Sequence, residues 1–505
     1  MTRVGTLEAF CKYTDEETFN KIQYVDTVSK IWEMCLENYK GIKAIYDDGN
    51  EYTYEQIEED ASFIRGLINE KVTKKTGRIG IYCANSYSFV KTYIAVVTNG
   101  YTAVILPPQL DAGTVYGCSM MFALDALIYL PSMEENLSVA KSQNPNLTLL
   151  STEDKGSVKG EIVNVTGDDD CAIIFTGGTT GRSKGALLTH RAVCFGTVNG
   201  CLGYKDVFFQ RYILVLPFSH VFGLIRNLMT SLYTGSSLLI CRNNKDMFKD
   251  CAMFKPTILV MVPALAEMAL NLSKKFGKNM LGDSLKVIIA GAAAVPPYLI
   301  EEYGKLGITM LQGYGLTESA NLVSGNPHSD TKPASVGLLY PEMEAKLSNG
   351  ELLLKGPNML KCYVGCDEDP FEDGYFKTGD LAKFDEDGSL YITGRIKEII
   401  VLPTGENISP AEVERYFDDL DIIQDCQVFE AINDNGNHIL AIEVYPREVV
   451  LNKLGVEDKK AYVEEEVAKV IKTLPSTMII SKIIIRDTDF ARTPAMKIIR
   501  YKLEQ

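Results

Sequence analysis

The ten residues TGGTTGRSKG, Thr176 to Gly185, hold four glycines, three threonines, a serine, an arginine and a lysine. Glycines let backbone N–H groups approach an anion closely, hydroxyls add donors, and Lys184 adds a mobile positive charge. The composition points to a phosphate. A P-loop, G-x-x-x-x-G-K-[ST], has glycine before its lysine, Ser or Thr after it, and a helix starting there. Here Ser183 precedes Lys184, Gly185 follows it, and ALLTH continues as a short strand. The P-loop reading fails on spacing and on context. The stretch reads instead as a glycine-rich turn between the buried strand CAIIF (171–175) and a returning strand.

Six further segments stand in order behind this turn: PFSHVFG (217–223), AGAAAVP (290–296), QGYGLTES (312–319), YFKTGD (375–380), GRIKEIIVLPTGENISPAEVE (394–414) and RTPAMKIIR (492–500). Together with the turn they closely resemble the motifs of the adenylate-forming superfamily. That superfamily comprises acyl-CoA and aryl-CoA synthetases, luciferases and the adenylation domains of nonribosomal peptide synthetases. The resemblance implies that Thr176, Gly177, Gly178, Thr179, Thr180, Gly181 and Lys184 grip the β- and γ-phosphates of ATP. It implies that the backbone of Gly291, Ala292 and Ala293 edges the adenine, and that Tyr314, within Gln312, Gly313 and Gly315, stacks on it. Thr317 would touch the phosphate and Glu318 would hold Mg2+. Asp380 would accept both ribose hydroxyls, with Ile392 and Arg395 completing the nucleotide site. Lys397 would be the hinge, Gly405 would line the coenzyme A tunnel, and Lys497 would be the catalytic lysine. Two positions depart from the family pattern. Ser183 replaces a proline, and Met496 replaces the glycine before the lysine, which restricts the backbone if a positive φ is needed there.

The chemistry implied is an attack by a carboxylate on the α-phosphorus of ATP, giving an acyl-adenylate and pyrophosphate. Two anions must be brought together, so cationic groups at the developing charge (Glu318-bound magnesium and Lys497) carry the catalysis. No protein nucleophile is required, and no Ser-His-Asp or Cys-His arrangement is evident. Relatives that activate amino acids carry an aspartate near PFSHVFG, whereas none lies between Phe218 and Leu224. A small-molecule carboxylic acid without an α-amino group is therefore expected, fatty, aryl or alicyclic. Its pocket is expected at His220, Phe222, Gly223, Gly291, Gly313 and Asn321, with glycines 291 and 313 leaving room for a sizeable tail. Thr317, Glu318 and His220 join Lys497 as the catalytic set. A free-standing chain favours coenzyme A as acceptor; a carrier protein or an amine, or a catalytically weak nucleotide-binding relative, stays open.

These residues need a scaffold that gathers loops at one edge. RIGIYCANS (78–86), a helix capped by Ser86, and YTAVILPP make a β-α-β rhythm that recurs at KVIIAGAAAV, PPYLIEEYGKL and GITMLQGYG. Such alternation predicts an α/β fold with parallel-rich sheets flanked by helices and ligand loops at the carboxyl ends of strands. After residue 340 short strands and turns predict a small β-subdomain, with Asp387-Gly388 as a hairpin turn. Beyond Arg395 the chain starts afresh. Ser409-Pro410-Ala411-Glu412 predicts a capping box opening the helix AEVERYFDDL. The expected organisation is a large ATP- and acyl-binding domain, 1–396, and a small mobile α+β domain, 397–505, with 132–168 as a polar connector.

Composition bounds the rest. In 505 residues, 46% are apolar and 23% charged, and the net charge is −15. That charge argues against general binding to nucleic acid or anionic membranes. The longest apolar run, TILVMVPALAEMALNL, is interrupted by Pro263 and Glu267, so no integral membrane segment is expected. The N-terminal residues have no apolar core suited to a signal peptide. Twelve scattered cysteines read as reduced thiols of a cytoplasmic protein, and four histidines exclude a histidine-rich metal site.

Overall fold

Short apolar strands buried on both faces need helices on either side, and the chain supplies them in alternation. The computed structural model describes residues 2–176, 184–367, 369–401, 407–433, 438–475, 478–492 and 498–500. Among these, two large sheets are parallel at their centres. The first runs in the order Cys362–Val364, Lys184–Thr189, Asp170–Thr176, Thr102–Leu106, Arg78–Tyr82, Ala126–Tyr129 and Thr148–Ser151. Its last five strands are parallel, and its first two run antiparallel to their neighbours. The second sheet has the parallel core Thr309–Tyr314, Val287–Ala290, Ile258–Met261, Arg211–Leu214, Ser237–Ile240 and Lys43–Asp47. Antiparallel strands close both of its edges. A third, antiparallel sheet pairs Glu344–Ser348, Glu351–Lys355, Tyr375–Phe384 and Leu390–Arg395, and takes in Arg3–Val4 at its edge. The expected α/β architecture with a small β-subdomain is what the chain forms.

Local signals explain many element boundaries. Thr53 and Gln56 form a reciprocal capping box at the start of helix Tyr54–Lys71. Ser86 accepts from Phe89 N–H and caps Tyr87–Thr98. The apolar run around 258 divides into strand Ile258–Met261 and helix Pro263–Phe276, with Pro263 at the first turn and Gly277 left-handed at φ 64° after the last.

Two expectations need correction. Residues 132–168 are not a plain connector. They begin with a 3₁₀ turn and helix Ser138–Gln143, and then Thr148–Ser151 joins the first sheet beside Ala126–Tyr129. Ser409 makes no side-chain cap. Its Oγ donates to the Thr393 carbonyl at 3.1 Å, and the helix it precedes is only Pro410–Glu414, followed by a 3₁₀ turn at Arg415–Phe417.

Beyond Ile396–Glu398, itself a 3₁₀ turn, a sheet of Ile423–Ile432, His438–Pro446 and Ile480–Ile485 packs with helix Lys459–Ile471. Val413, Phe417, Val428, Ile442, Val444, Val463 and Val467 form its core, separate from the one that runs from Phe10 to Leu390. An ion pair ties this segment to helix Pro263–Phe276. Arg447 Nη2 lies 2.6 Å from Glu267 Oε1 and also donates to Tyr298 Oη at 3.2 Å.

Candidate functional site

At one end of the first sheet, Thr176 stands opposite Lys184 across an antiparallel pair of strands. Gly177, Gly178, Thr179, Thr180 and Gly181, which follow Thr176 in the sequence, lie outside the described residues. Gly185 is required by packing, because a Cβ there would sit 2.5 Å from Ile173 and 2.6 Å from Phe122. The Lys184 ammonium lies 4.9 Å from the ring centroid of Tyr363. Tyr363 belongs to the edge strand Cys362–Val364, opposite Ala186. Its hydroxyl donates to Glu318 Oε1 at 2.7 Å.

Glu318 sits in a 3₁₀ turn, Thr317–Ser319, directly after strand Thr309–Tyr314. This turn is held tightly. Leu316 N–H donates to Ser319 Oγ at 2.9 Å, and the amide of buried Asn358 donates to the carbonyls of Ser319 at 2.9 Å and Leu322 at 2.5 Å. Leu360 N–H reaches the Glu318 carbonyl at 2.6 Å. Ala320 and Asn321 are both left-handed, with φ 47° and 92°. Consecutive non-glycine residues in that region mark backbone strain imposed by surrounding contacts. Gly315 is part of the same crowding: a Cβ there would fall 1.4 Å from the Asn321 carbonyl oxygen. Gln312 is buried, and its amide donates to the Pro333 carbonyl.

The third sheet brings Asp380 to this loop. Asp380 is 3% exposed, and its Oδ2 accepts from the Tyr314 hydroxyl at 2.5 Å. Its Oδ1 accepts from Arg395 Nε at 2.6 Å. Burial, reinforced by the Asp380 carboxylate, pushes the Tyr314 phenol well above its ordinary range. Tyr314, Asp380 and Arg395 are thus one hydrogen-bonded cluster, although they come from three separate motifs. Ile392 lies on the same strand as Arg395, opposite Ala382, with its carbonyl accepting from Arg415.

The expected acyl wall is only partly as anticipated. His220 Nδ1 accepts from Phe222 N–H at 3.2 Å, which places the ring proton of a neutral His220 on Nε2. Residues Phe222–Met229 form a π-helix, a rare element frequent at functional sites. Phe222 and Gly291 meet, but Gly291 does not leave a void: a Cβ there would lie 3.1 Å from Phe222 Cζ. The phenyl ring fills that space. Gly313 is a glycine for another reason, since a Cβ would lie 2.6 Å from the Ser324 carbonyl of the neighbouring strand. The expectation that these two glycines make room for a sizeable tail is therefore corrected. Gly223 is likewise set by the Pro217 carbonyl, 2.3 Å from a built Cβ. Asn321 is buried, and its Nδ2 has no hydrogen-bond partner among the described residues. Ala292 is left-handed at φ 66°, and Ala293 is exposed on the same turn.

Lys397 lies in the turn Ile396–Glu398, while Gly405 and Lys497 fall outside the described residues. No group of three or more His, Cys, Asp or Glu able to hold a metal occurs among the described residues. A single carboxylate at Glu318 fits magnesium, which is commonly held by one or two carboxylates and substrate phosphates. It does not fit an ion needing an all-protein cage. Tyr363 and Asn358 escaped the sequence reading. Their roles depend on strand pairing with the phosphate strand and on backbone acceptors, neither of which leaves a spacing signal.

Residues 32–364 match the model of the AMP-binding enzyme family. The chain is 29% identical over 492 residues to 4-coumarate–CoA ligase-like 6 of Arabidopsis thaliana, covering 88% of this chain and 84% of the relative. Among solved structures, an anthranilate CoA ligase in complex with anthranoyl-AMP superposes with a TM-score of 0.82 at 19% identity, over 94% of this chain and 96% of the other. O-Succinylbenzoate coenzyme A synthetase from Bacillus subtilis, in complex with ATP and magnesium ion, superposes with a TM-score of 0.76 at 21% identity, over 93% and 98%. At such identities these two structures speak to the fold.

Proposed function

The chain belongs to the family of AMP-binding enzymes, and on that premise we propose how its residues divide the work of an AMP-forming acyl-CoA synthetase. The enzyme activates a carboxylic acid with ATP and transfers the acyl group to coenzyme A. In the first step a carboxylate oxygen bonds to the α-phosphorus, and the bond to the leaving pyrophosphate breaks. In the second the thiol sulfur bonds to the acyl carbon, its proton is lost to solvent, and AMP departs with the pair of electrons of the broken anhydride bond.

Lys184 and the turn before it bind the β- and γ-phosphates. Asp380 accepts from the ribose hydroxyls through lone pairs left over by Tyr314 and Arg395, and its bond to Tyr314 fixes the ring that stacks on adenine. Gly291, Ala292 and Ala293 border the base on its other edge. Glu318 carries magnesium, which neutralises phosphate charge as it develops. Thr317 donates to the phosphate beside it. His220, with its proton on Nε2, faces the acid, and Phe222 caps the pocket over Gly291. That ring makes the substrate a compact acid rather than one with a long tail running over Gly291. The segment 397–505 is a domain that pivots at Lys397, delivering Lys497 for adenylation and Gly405 for thioester formation.

The observation that supports this reading best is a pair of clusters drawn from three sheets: Lys184 and Glu318 meet through Tyr363, and Tyr314, Asp380 and Arg395 are hydrogen-bonded together, Tyr314 and Glu318 being four residues apart on one segment. No described helix is long and apolar enough to cross a membrane, and all twelve cysteines are free thiols. The free thiols support a cytoplasmic location. Pyrophosphate release is measured with a panel of acids, with and without coenzyme A. Acid-dependent release and an acyl-CoA product are expected. Release that needs an amine or an acylated carrier protein in place of coenzyme A would move the acceptor, and no acid-dependent release with any acid sinks the reading.

A further inference from the structure

We propose that Tyr363 is a positioning residue that aligns the magnesium carboxylate Glu318 and the phosphate lysine Lys184 as one unit. The inference rests on the roles given above to those two residues and adds a third that no motif identifies. Side chains alternate along a strand, so Lys184 and Ala186 share a face of the sheet. Tyr363 is registered opposite Ala186, which puts its ring diagonal to Lys184 on that face. The ring lies 4.9 Å from the ammonium, and the hydroxyl at its tip donates to Glu318 Oε1 at 2.7 Å.

One side chain therefore touches both charged groups in chemically different ways. A hydroxyl bound to Oε1 takes one of the carboxylate's lone pairs and fixes its rotamer, leaving the other lone pairs for a cation. The aromatic face orients the ammonium without neutralising it, so the charge stays available to a phosphate. The backbone around Tyr363 is itself fixed to the Glu318 turn. Leu360 N–H and the Asn358 amide bind carbonyls of Glu318, Ser319 and Leu322, and Lys361 N–H binds the Leu187 carbonyl at 2.8 Å. The segment 358–363 thus splints the phosphate strand to the metal-binding turn.

Tyr363→Phe keeps the ring and removes the hydroxyl, while Tyr363→Leu removes both. Manganese serves as the probe: its binding to the full-length enzyme in the presence of ATP, without acid, is followed by electron paramagnetic resonance. Loss of a partner that orients a metal ligand typically weakens metal affinity about 10–100-fold. Tyr363→Phe should raise the half-saturating manganese concentration about tenfold and leave the KM for ATP at saturating metal unchanged. Tyr363→Leu should raise both. Glu318→Gln is the control. If it shifts manganese binding and Tyr363→Phe does not, the positioning role is wrong and the metal-binding role of Glu318 stands. If Glu318→Gln leaves manganese binding unchanged, both fall together. Equal losses in metal binding, ATP binding and melting temperature for Tyr363→Phe would assign the residue to the fold alone and overturn the inference.

Discussion

Asp380→Asn separates a structural carboxylate from one that reads a ribose. In the native chain both oxygens are engaged, Oδ1 by Arg395 at 2.6 Å and Oδ2 by the Tyr314 hydroxyl at 2.5 Å. Asparagine has the same shape and can preserve both contacts, since its carbonyl can face Arg395 and its NH2 can donate to the tyrosine oxygen. What it loses is the negative charge beside a guanidinium at a site only 3% exposed. Weakening one charged hydrogen bond costs about 1.5–3 kcal/mol, so the fold should survive with a modest drop in melting temperature. The effect on nucleotide is larger. Two ribose hydroxyls donating to a carboxylate make two charge-assisted bonds, and losing both corresponds to about 3–5 kcal/mol, or about 10²–10⁴ in the KM for ATP. The decisive comparison uses 2′-deoxy-ATP, which removes one donor from the substrate side. The native enzyme should discriminate against it by about tenfold or more, and Asp380→Asn should lose most of that discrimination because the acceptor is already impaired. ATP-dependent pyrophosphate release with each nucleotide measures both ratios. A variant that binds ATP poorly yet discriminates as well as the native enzyme would refute the assignment.

His190 is fully buried, accepts from Val28 N–H at Nδ1, and burial lowers its pKa from 6.5 to about 4. Its neutral form is the one that folds, so stability is present above pH 6.5 and is lost as pH falls from 6.5 toward 4. Between pH 7 and 5 the native chain should lose about 2 kcal/mol more than His190→Asn, which keeps an acceptor at the Nδ1 position; parallel denaturant titrations of the two proteins would contradict this. Phe222→Ala should shift the optimum of kcat/KM toward larger acids, each added methylene in the freed space contributing about 0.8 kcal/mol, at a stability cost of about 3–5 kcal/mol. An unchanged acid profile would remove Phe222 from the pocket. Arg447→Met takes the cation from Glu267, leaving it the Tyr298 hydroxyl, and should change adenylation and thioester formation by different factors, measured as separate half-reactions. Equal effects on both would mean that the contact does not select a domain orientation.

The parts of the site that were legible in the sequence are those made by neighbours along the chain. The strands on either side of 177–183 and the loop after Tyr314 stand where local composition places them. Ser86 behaves as read because its acceptor and donor are three residues apart. What failed depended on partners from elsewhere. Ser409 carries every local mark of a cap, but its hydroxyl is drawn to the Thr393 carbonyl of a strand that precedes it. Gly313 looks like open space in one dimension, whereas in three it accommodates the Ser324 carbonyl across the sheet. Gly291 is small because Phe222, sixty-nine positions earlier in the numbering, lies against it. Thr148–Ser151 is only four residues inside a polar stretch, too short to announce a strand, and becomes one by docking on Ala126–Tyr129.

The edge strand Cys362–Val364 also bears on how the molecule is made. It pairs with Lys184–Thr189, yet every other strand of that sheet lies between Arg78 and Thr189. During synthesis the first sheet therefore waits, with one edge open, while the ribosome adds the strands of the second sheet from Arg211 to Leu339. An unpaired strand edge is a template for wrong partners, and pairings between distant parts of a chain form slowly. The nascent protein is most exposed to aggregation in that interval, and the strand that ends it is also the one bearing Tyr363 against Lys184 and Glu318. The contacts of Tyr363 with Lys184 and Glu318 and the protection of the vulnerable edge thus arise from a single late pairing.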